Sequence, residues 1–132
     1  MINTKRLVLA YVVTLLVVNL YDFAVFGAAL GSYHEAHKNL LRPDPPMVRY
    51  FLTGALNLAL VTLFYALFAR GKASRLSTGV VFGALLGLIA GWIPQAYNKM
   101  LLLDWPFYTA WAPAVFGGYL LAGIVLGLAY RE

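Results

Sequence analysis

Four long apolar blocks, separated by short polar links, constrain this chain more than any other feature of its sequence. The blocks cover residues 7–30, 51–69, 78–96 and 107–130. A bilayer core about 30 Å thick needs roughly 20 residues of helix to cross it, and each block is about that long. Because helices satisfy all their own backbone hydrogen bonds in lipid, we predict an all-α, integral membrane, four-transmembrane-helix bundle.

Composition supports this prediction. Of the 132 residues, 62% are hydrophobic and 11% are charged, and the mean hydropathy is +0.77. A soluble domain has about 45–50% apolar and 25% charged residues. Asp22 interrupts the first block, but the roughly 2.5–3.5 kcal/mol that a mid-helix Asp costs is exceeded by the gain from the surrounding Leu, Val and Phe. We therefore expect a single transmembrane domain over residues 1–132, in contact with the lipid bilayer.

The positive charges predict an orientation. They stand singly between the apolar blocks and form no continuous stripe, so we predict no nucleic-acid binding. One side of the membrane would hold six cations, Lys5, Arg6, Arg70, Lys72, Arg75 and Arg131, against four on the other, Lys38, Arg42, Arg49 and Lys99. The positive-inside rule then favours both termini in the cytoplasm, as in a multi-pass protein of a bacterial inner membrane.

Prolines occur in the first link and near the end of the third block. Between the first two spans, residues 32–42 can form a short interfacial helix, whereas the sequence Pro43-Asp44-Pro45-Pro46 cannot. Pro94 lies near the end of the third block, where we expect it to end or kink the helix. The aromatic side chains around it are typical of a membrane interface.

The most regular pattern is a row of glycines in the third block, Gly79, Gly83, Gly87 and Gly91. A spacing of four places them on one helix face, where small residues let another backbone approach closely. We predict a glycine-zipper packing face. The spacing alone leaves three interpretations open, namely packing within one chain, a seam of a homo-oligomer, and a smooth wall for a lipid, quinone or pigment.

Five polar side chains fall inside or at the ends of the predicted spans. They are Asn19, Asp22, Asn57, Gln95 and Asn98. If depth is counted from the span ends at a rise of 1.5 Å per residue, all five lie in the half of the bilayer away from the termini. We predict that they form a candidate polar binding patch. An intramembrane acid is costly and usually faces a bundle interior or cavity, so Asp22 is either protonatable or ion-paired, with Arg49 or Lys99 as the partner.

His34 and His37 are the candidate metal ligands. They lie on one face if their segment is helical, but two imidazoles are too few without Asp44, Asp104 or a partner chain. The spacing HEAH also differs from the zinc motif HExxH. With no cysteine in the chain, thiolate sites are excluded. We predict no cofactor, and we find no sequence motif of a catalytic site.

Three functional hypotheses follow. The leading one is a non-catalytic subunit or assembly partner that packs through glycine-lined helices against other membrane protein subunits or further copies of itself. The alternative is a protein that transports or binds a small solute, a proton or a lipid through the polar patch around Asp22. The third is an enzyme that acts on lipid headgroups with His34 or His37 as the base.

Overall fold

The computed structural model describes residues 2–36, 38, 46–72, 75–97 and 105–130. The described chain is helical throughout its regular parts. Helix α1 (Thr4–Asp22) continues into a π-helical segment (Phe23–Ala29), which is followed by the short helix α2 (Gly31–Ala36) and by three long helices, α3 (Met47–Phe68), α4 (Arg75–Tyr97) and α5 (Trp105–Ala129). Helix α2 lies where we predict an interfacial segment.

Among the described residues, four helices are long and apolar enough to span a membrane, which confirms the prediction of a helical chain with four such elements. The candidate spans are Thr4–Ala29, Met47–Phe68, Arg75–Ile93 and Ala110–Ala129. Many large apolar side chains on their outer faces are exposed, among them Leu20, Leu56 and Leu88. Such faces suit lipid, which solvates them as well as a protein core does.

Local sequence explains the helix boundaries. The side chain of Asn3 accepts a hydrogen bond from the Arg6 amide at 3.2 Å and caps α1. Helix α3 starts directly after Pro46, because a proline disfavours the helical conformation in the residue that precedes it. In the turn after α3, Gly71 has φ +70°, a conformation that favours glycine.

Helices α4 and α5 form the closest pair, because the glycine row of α4 lies against the α5 backbone. A Cβ atom on Gly83 would lie 2.6 Å from the carbonyl oxygen of Tyr119, and one on Gly87 would lie 2.9 Å from that of Phe116. From the other side, a Cβ on Gly123 would lie 2.7 Å from the Cα of Gly83. Within this chain, the glycine row is therefore occupied by α5.

Helix α1 packs against α5 and α3 through two tyrosines. The Tyr21 ring lies over Gly118, and its hydroxyl donates a hydrogen bond to the carbonyl of Ala114 on α5 at 2.8 Å. Ten residues earlier in α1, the Tyr11 hydroxyl donates to the carbonyl of Ala55 on α3 at 3.2 Å. These bonds give both tyrosine hydroxyls a partner where water is scarce.

Helix α3 is packed most closely at one end. Its buried residues all lie in its second half, and they are Leu58, Val61, Thr62, Tyr65 and Ala66. There the Tyr65 ring meets Phe82 of α4 edge-on at 5.3 Å and Tyr130 at 6.3 Å between centroids. In residues 47–57 no side chain is buried. Helix α3 is therefore packed more loosely in its N-terminal half, where the Ala55 carbonyl bonds to Tyr11.

Three local features were unanticipated or anticipated only in part. Pro94 does not end its helix, since α4 continues to Tyr97, while a kink at Pro94 stays a prediction. Pro113 lies inside α5. Proline within a transmembrane helix is tolerated where neighbouring helices compensate for the lost hydrogen bond. The π-helical segment after Asp22 was not predicted, because its sequence FAVFGAA is as apolar as the rest of the span.

A matched pair of glycine substitutions tests the α4–α5 contact. We expect Gly83→Ala to lower the free energy of unfolding by about 1–3 kcal/mol, the usual cost of overpacking, because its Cβ would meet backbone atoms. Gly54→Ala is the control, since nothing lies within 4 Å of a Cβ at that position. Unfolding by SDS titration in mixed micelles measures both, and equal stabilities of the two variants would contradict the described contact.

Candidate functional site

The separation of α3 from its neighbours leaves a cavity of about 560 Å³ between α1, α3 and α5. Its floor is formed by two buried residues, Leu58 of α3 and Ala122 of α5. The walls are mostly apolar, with a few polar side chains at separate points. Ligand sites in proteins commonly have about 300–1,000 Å³ and this kind of lining, so the cavity is the candidate functional site.

Three of the five residues of the predicted polar patch line this cavity. Asn19 and Asp22 are on the α1 wall and Asn57 is on the α3 wall. Asn98 and the side chain of Gln95 lie outside the part of the chain that the structure describes. Among the described residues, α4 contributes nothing to the lining, so the site is built from the other three long helices.

The two amides are held by hydrogen bonds within the protein. The Asn19 amide nitrogen donates to the Leu15 carbonyl of its own helix at 2.7 Å. The Asn57 amide nitrogen donates to the Tyr119 hydroxyl of α5 at 3.0 Å, which links the two helices across the cavity. Tyr119 was not recognised from the sequence, where a tyrosine inside an apolar, glycine-containing block carries no distinguishing pattern.

Asp22 differs from both amides. Its carboxylate is only partly exposed, and it makes no hydrogen bond or ion pair with any residue within the described ranges. Arg49, one of the two cations that we considered as its partner, forms no ion pair with it, and Lys99 lies outside those ranges. An acid in the apolar region is thus left facing the cavity without an opposite charge from the described chain.

Aromatic rings surround the cavity at the same end as Asp22. Phe26 follows Asp22 by one turn on the first span, Tyr50 and Phe51 lie in the first turn of α3, and Trp111 lies near the start of α5. An aromatic ring offers a negative face to a cation and an apolar surface to the body of a ligand. The charge and the rings together favour an organic ligand over a bare ion.

The π-helical segment connects the cavity to α2. The His34 ring nitrogen Nδ1 lies 3.1 Å from the carbonyl oxygen of Phe26, and the two rings lie 6.4 Å apart. His34 therefore contacts the backbone of a cavity residue. His37 lies outside the described residues, and among those that are described no group of three His, Cys, Asp or Glu side chains could hold a metal ion.

Comparison with known proteins adds no relative: no protein-family model, no curated protein and no solved structure matches the chain. Its class follows from its own helices, four of which are candidate membrane spans. The chain has the features of a multi-pass helical membrane protein with a cavity between three of its spans.

A double-mutant cycle tests the hydrogen bond across the cavity. We expect Asn57→Ala and Tyr119→Phe to be coupled by about 0.6 kcal/mol, the average for side-chain hydrogen bonds between transmembrane helices. Tyr11→Phe is the control partner for Asn57→Ala, because Tyr11 bonds to the Ala55 carbonyl instead. Unfolding in mixed micelles gives the four stabilities, and effects that simply add would show that the bond does not form.

The stability of Asp22→Asn distinguishes a structural acid from a functional one. Because no described residue pairs with Asp22, we expect the substitution to leave the free energy of unfolding unchanged or to raise it by up to about 2 kcal/mol. Breaking a buried ion pair would instead cost about 3–5 kcal/mol. A loss of that size in ligand-free protein would show that Asp22 locks the first span to another part of the chain.

Proposed function

We propose that this chain is a small membrane protein that binds a lipophilic molecule carrying a cationic group, with its apolar body in the cavity and its charge beside Asp22. The observation that carries this proposal is the Asp22 carboxylate, which lines the cavity and has no partner among the described residues. An acid at this depth costs free energy, and a cationic ligand would supply the missing charge.

The shape of the cavity supports an amphipathic ligand. A volume of about 560 Å³ is sufficient for a small organic body, and the walls are too apolar to hold an ion with its water shell. Four aromatic residues around the charged end add cation–π attraction, which is worth about 2 kcal/mol where the cation is desolvated. Anionic ligands of the same size would be repelled by the carboxylate.

The exposed half of α3 supports entry from the bilayer. Residues 47–57 have no buried side chain, and the hydrogen bonds described there are those of the Ala55 carbonyl to Tyr11 and of Asn57 to Tyr119. Lipophilic cations concentrate at membrane interfaces, so a ligand can reach the cavity sideways, past α3, without crossing water. We infer that movement of this half of α3 about its packed end would admit and release the ligand.

A pair of probes with matched shapes tests the proposal. Tetraphenylphosphonium and tetraphenylborate have the same phenyl groups and opposite charges. We expect purified protein to bind the phosphonium, and Asp22→Asn to weaken that binding at least about tenfold, equivalent to about 1.4 kcal/mol. Glu35→Gln is the charge-matched control, because Glu35 lies on exposed α2 and pairs with Lys38. Isothermal titration calorimetry in detergent measures the affinities.

Three results would overturn the proposal. The first is equal binding of the phosphonium and the borate by the wild-type protein, which would indicate simple partition into the detergent or an apolar surface. The second is equal binding of the phosphonium by wild-type protein and Asp22→Asn. Equal losses in Asp22→Asn and Glu35→Gln would point to general charge effects and not to the cavity.

We further propose that both termini lie in the cytoplasm of a bacterial inner membrane, so that the cavity is in the outer half. The chain has no cysteine, so single cysteines can report sidedness. We expect a membrane-impermeant maleimide to label Glu35→Cys in intact cells, and to label Arg70→Cys only after the membrane is opened. The reverse pattern would invert the orientation and place the cavity towards the cytoplasm.

The assembly-partner hypothesis remains a second proposal, supported by the same exposed half of α3. With the glycine row of α4 lying against α5, a partner helix would dock on residues 47–57, where Gly54 has nothing within 4 Å of its Cβ position. Gly54→Leu would then release the partner without unfolding the chain. A monodisperse, partner-free monomer after purification from native membranes in mild detergent would count against it.

A further inference from the structure

A second, smaller cavity lies at the opposite end of the bundle, between the end of α3 and the start of α4. It has a volume of about 30 Å³ and is lined by Tyr65, Ala69, Lys72, Arg75 and Tyr130. One water molecule needs about 10–15 Å³ by this measure. The space therefore accepts a small polar group, such as the oxygens of a phosphate, and is too small for an organic body.

Two cations of this cavity lack a counter-charge within the described part of the chain. The Lys72 ammonium lies 3.2 Å from the centroid of the Phe68 ring, and that contact holds it at the helix end. Neither Lys72 nor Arg75 forms an ion pair with any residue that the structure describes. Helix α4 begins at Arg75, so the positive end of its dipole adds to the same field.

Tyr130 provides an independent indication of a ligand. It is 2% exposed, and its hydroxyl is buried without a hydrogen-bond partner in the described chain. The neighbouring Tyr65 hydroxyl donates to the Arg75 carbonyl at 3.3 Å, so that donor is already used. A buried hydroxyl without a partner costs about 1–3 kcal/mol, and an oxyanion in the cavity would accept its hydrogen.

We propose that this cavity binds a phosphate group, held by Lys72 and Arg75 and by a hydrogen bond from the Tyr130 hydroxyl. The site is independent of the cavity around Asp22. The cavity lies where the spans end, so the phosphate comes from an anionic lipid headgroup or from solution. Occupation by the phosphate joins α3, α4 and the end of α5 at the point where α3 is already packed.

Lipids that differ only in the phosphate test the site. Phosphatidic acid and diacylglycerol share the same acyl chains, and native mass spectrometry of the full chain in detergent counts the molecules retained. We expect phosphatidic acid to be retained, diacylglycerol not to be, and the affinity for phosphatidic acid to fall about tenfold in Lys72→Gln and in Arg75→Gln. Arg70→Gln is the control, because Arg70 is exposed in the same turn and does not line the cavity.

Tyr130→Phe removes one hydroxyl and retains the ring that packs on Tyr65, so it separates binding from folding. We expect it to weaken phosphatidic acid binding while ligand-free stability stays equal or rises. A second arm uses inorganic phosphate and thermal unfolding. Protection by inorganic phosphate that is lost in Tyr130→Phe identifies a free phosphate as the source, and retention of phosphatidic acid without that protection identifies a lipid headgroup.

Three results would overturn the proposal. Equal retention of phosphatidic acid and diacylglycerol would show that the acyl chains and not the phosphate are recognised. An equal loss in Arg70→Gln and Lys72→Gln would indicate a general basic surface. Unchanged affinities for phosphatidic acid and inorganic phosphate in Tyr130→Phe would show that the Tyr130 hydroxyl does not bind phosphate, and that the cavity holds a water molecule instead.

Discussion

The contact between the backbones of α4 and α5 is the constraint on which the rest of the structure depends. Glycines on both helices let the two backbones come into direct contact, so α4 and α5 pack as one unit. Helix α5 then offers its other faces to α1, and the Tyr21 bond to the Ala114 carbonyl at 2.8 Å fixes that contact. The remaining long helix, α3, must fit against a surface that these three helices already define.

The fit of α3 is good at one end and poor at the other. Around Tyr65, aromatic rings from three elements pack at 5.3–6.3 Å between centroids, and this cluster holds the end of the helix. Towards Asn57 the only described polar link to α5 is the Tyr119 hydroxyl. In water such an apolar opening would collapse, but lipid solvates apolar walls, so the opening costs little. The cavity follows from this unequal packing.

The sequence predicted the four helices and part of the site, and the reasons are physical. Length and hydropathy are enough to locate a span, and the row starting at Gly79 marks a close helix contact because glycine has little other use in a span. Asn19 and Asp22 share a helix face by spacing alone. In contrast, the helices are apolar on all sides, so no stripe identifies the face turned inward. The sequence therefore does not reveal that Asp22 and Asn57 line the same cavity, or that Tyr119 bonds to Asn57.

Asp22 bears on two explanations for an acid in a membrane span. A structural acid is recognised by its partner, and within the described chain Asp22 has none. A functional acid is recognised by the space it faces, and Asp22 faces a cavity with aromatic rings at the same end. The basic link around Lys72 is similar, because charges that predict orientation also line a small polar cavity. In both places we propose a ligand for a charge that has no partner among the described residues.

The most direct test of the central claim is the reactivity of a single cysteine inside the cavity. Gly54 lines the cavity and has room for a side chain, and the chain contains no other thiol. We expect Gly54→Cys to react with a membrane-soluble maleimide, tetraphenylphosphonium to slow the reaction, and that protection to disappear when Asp22→Asn is added. A thiol that never reacts, or one protected equally with and without the Asp22 carboxylate, would contradict the account.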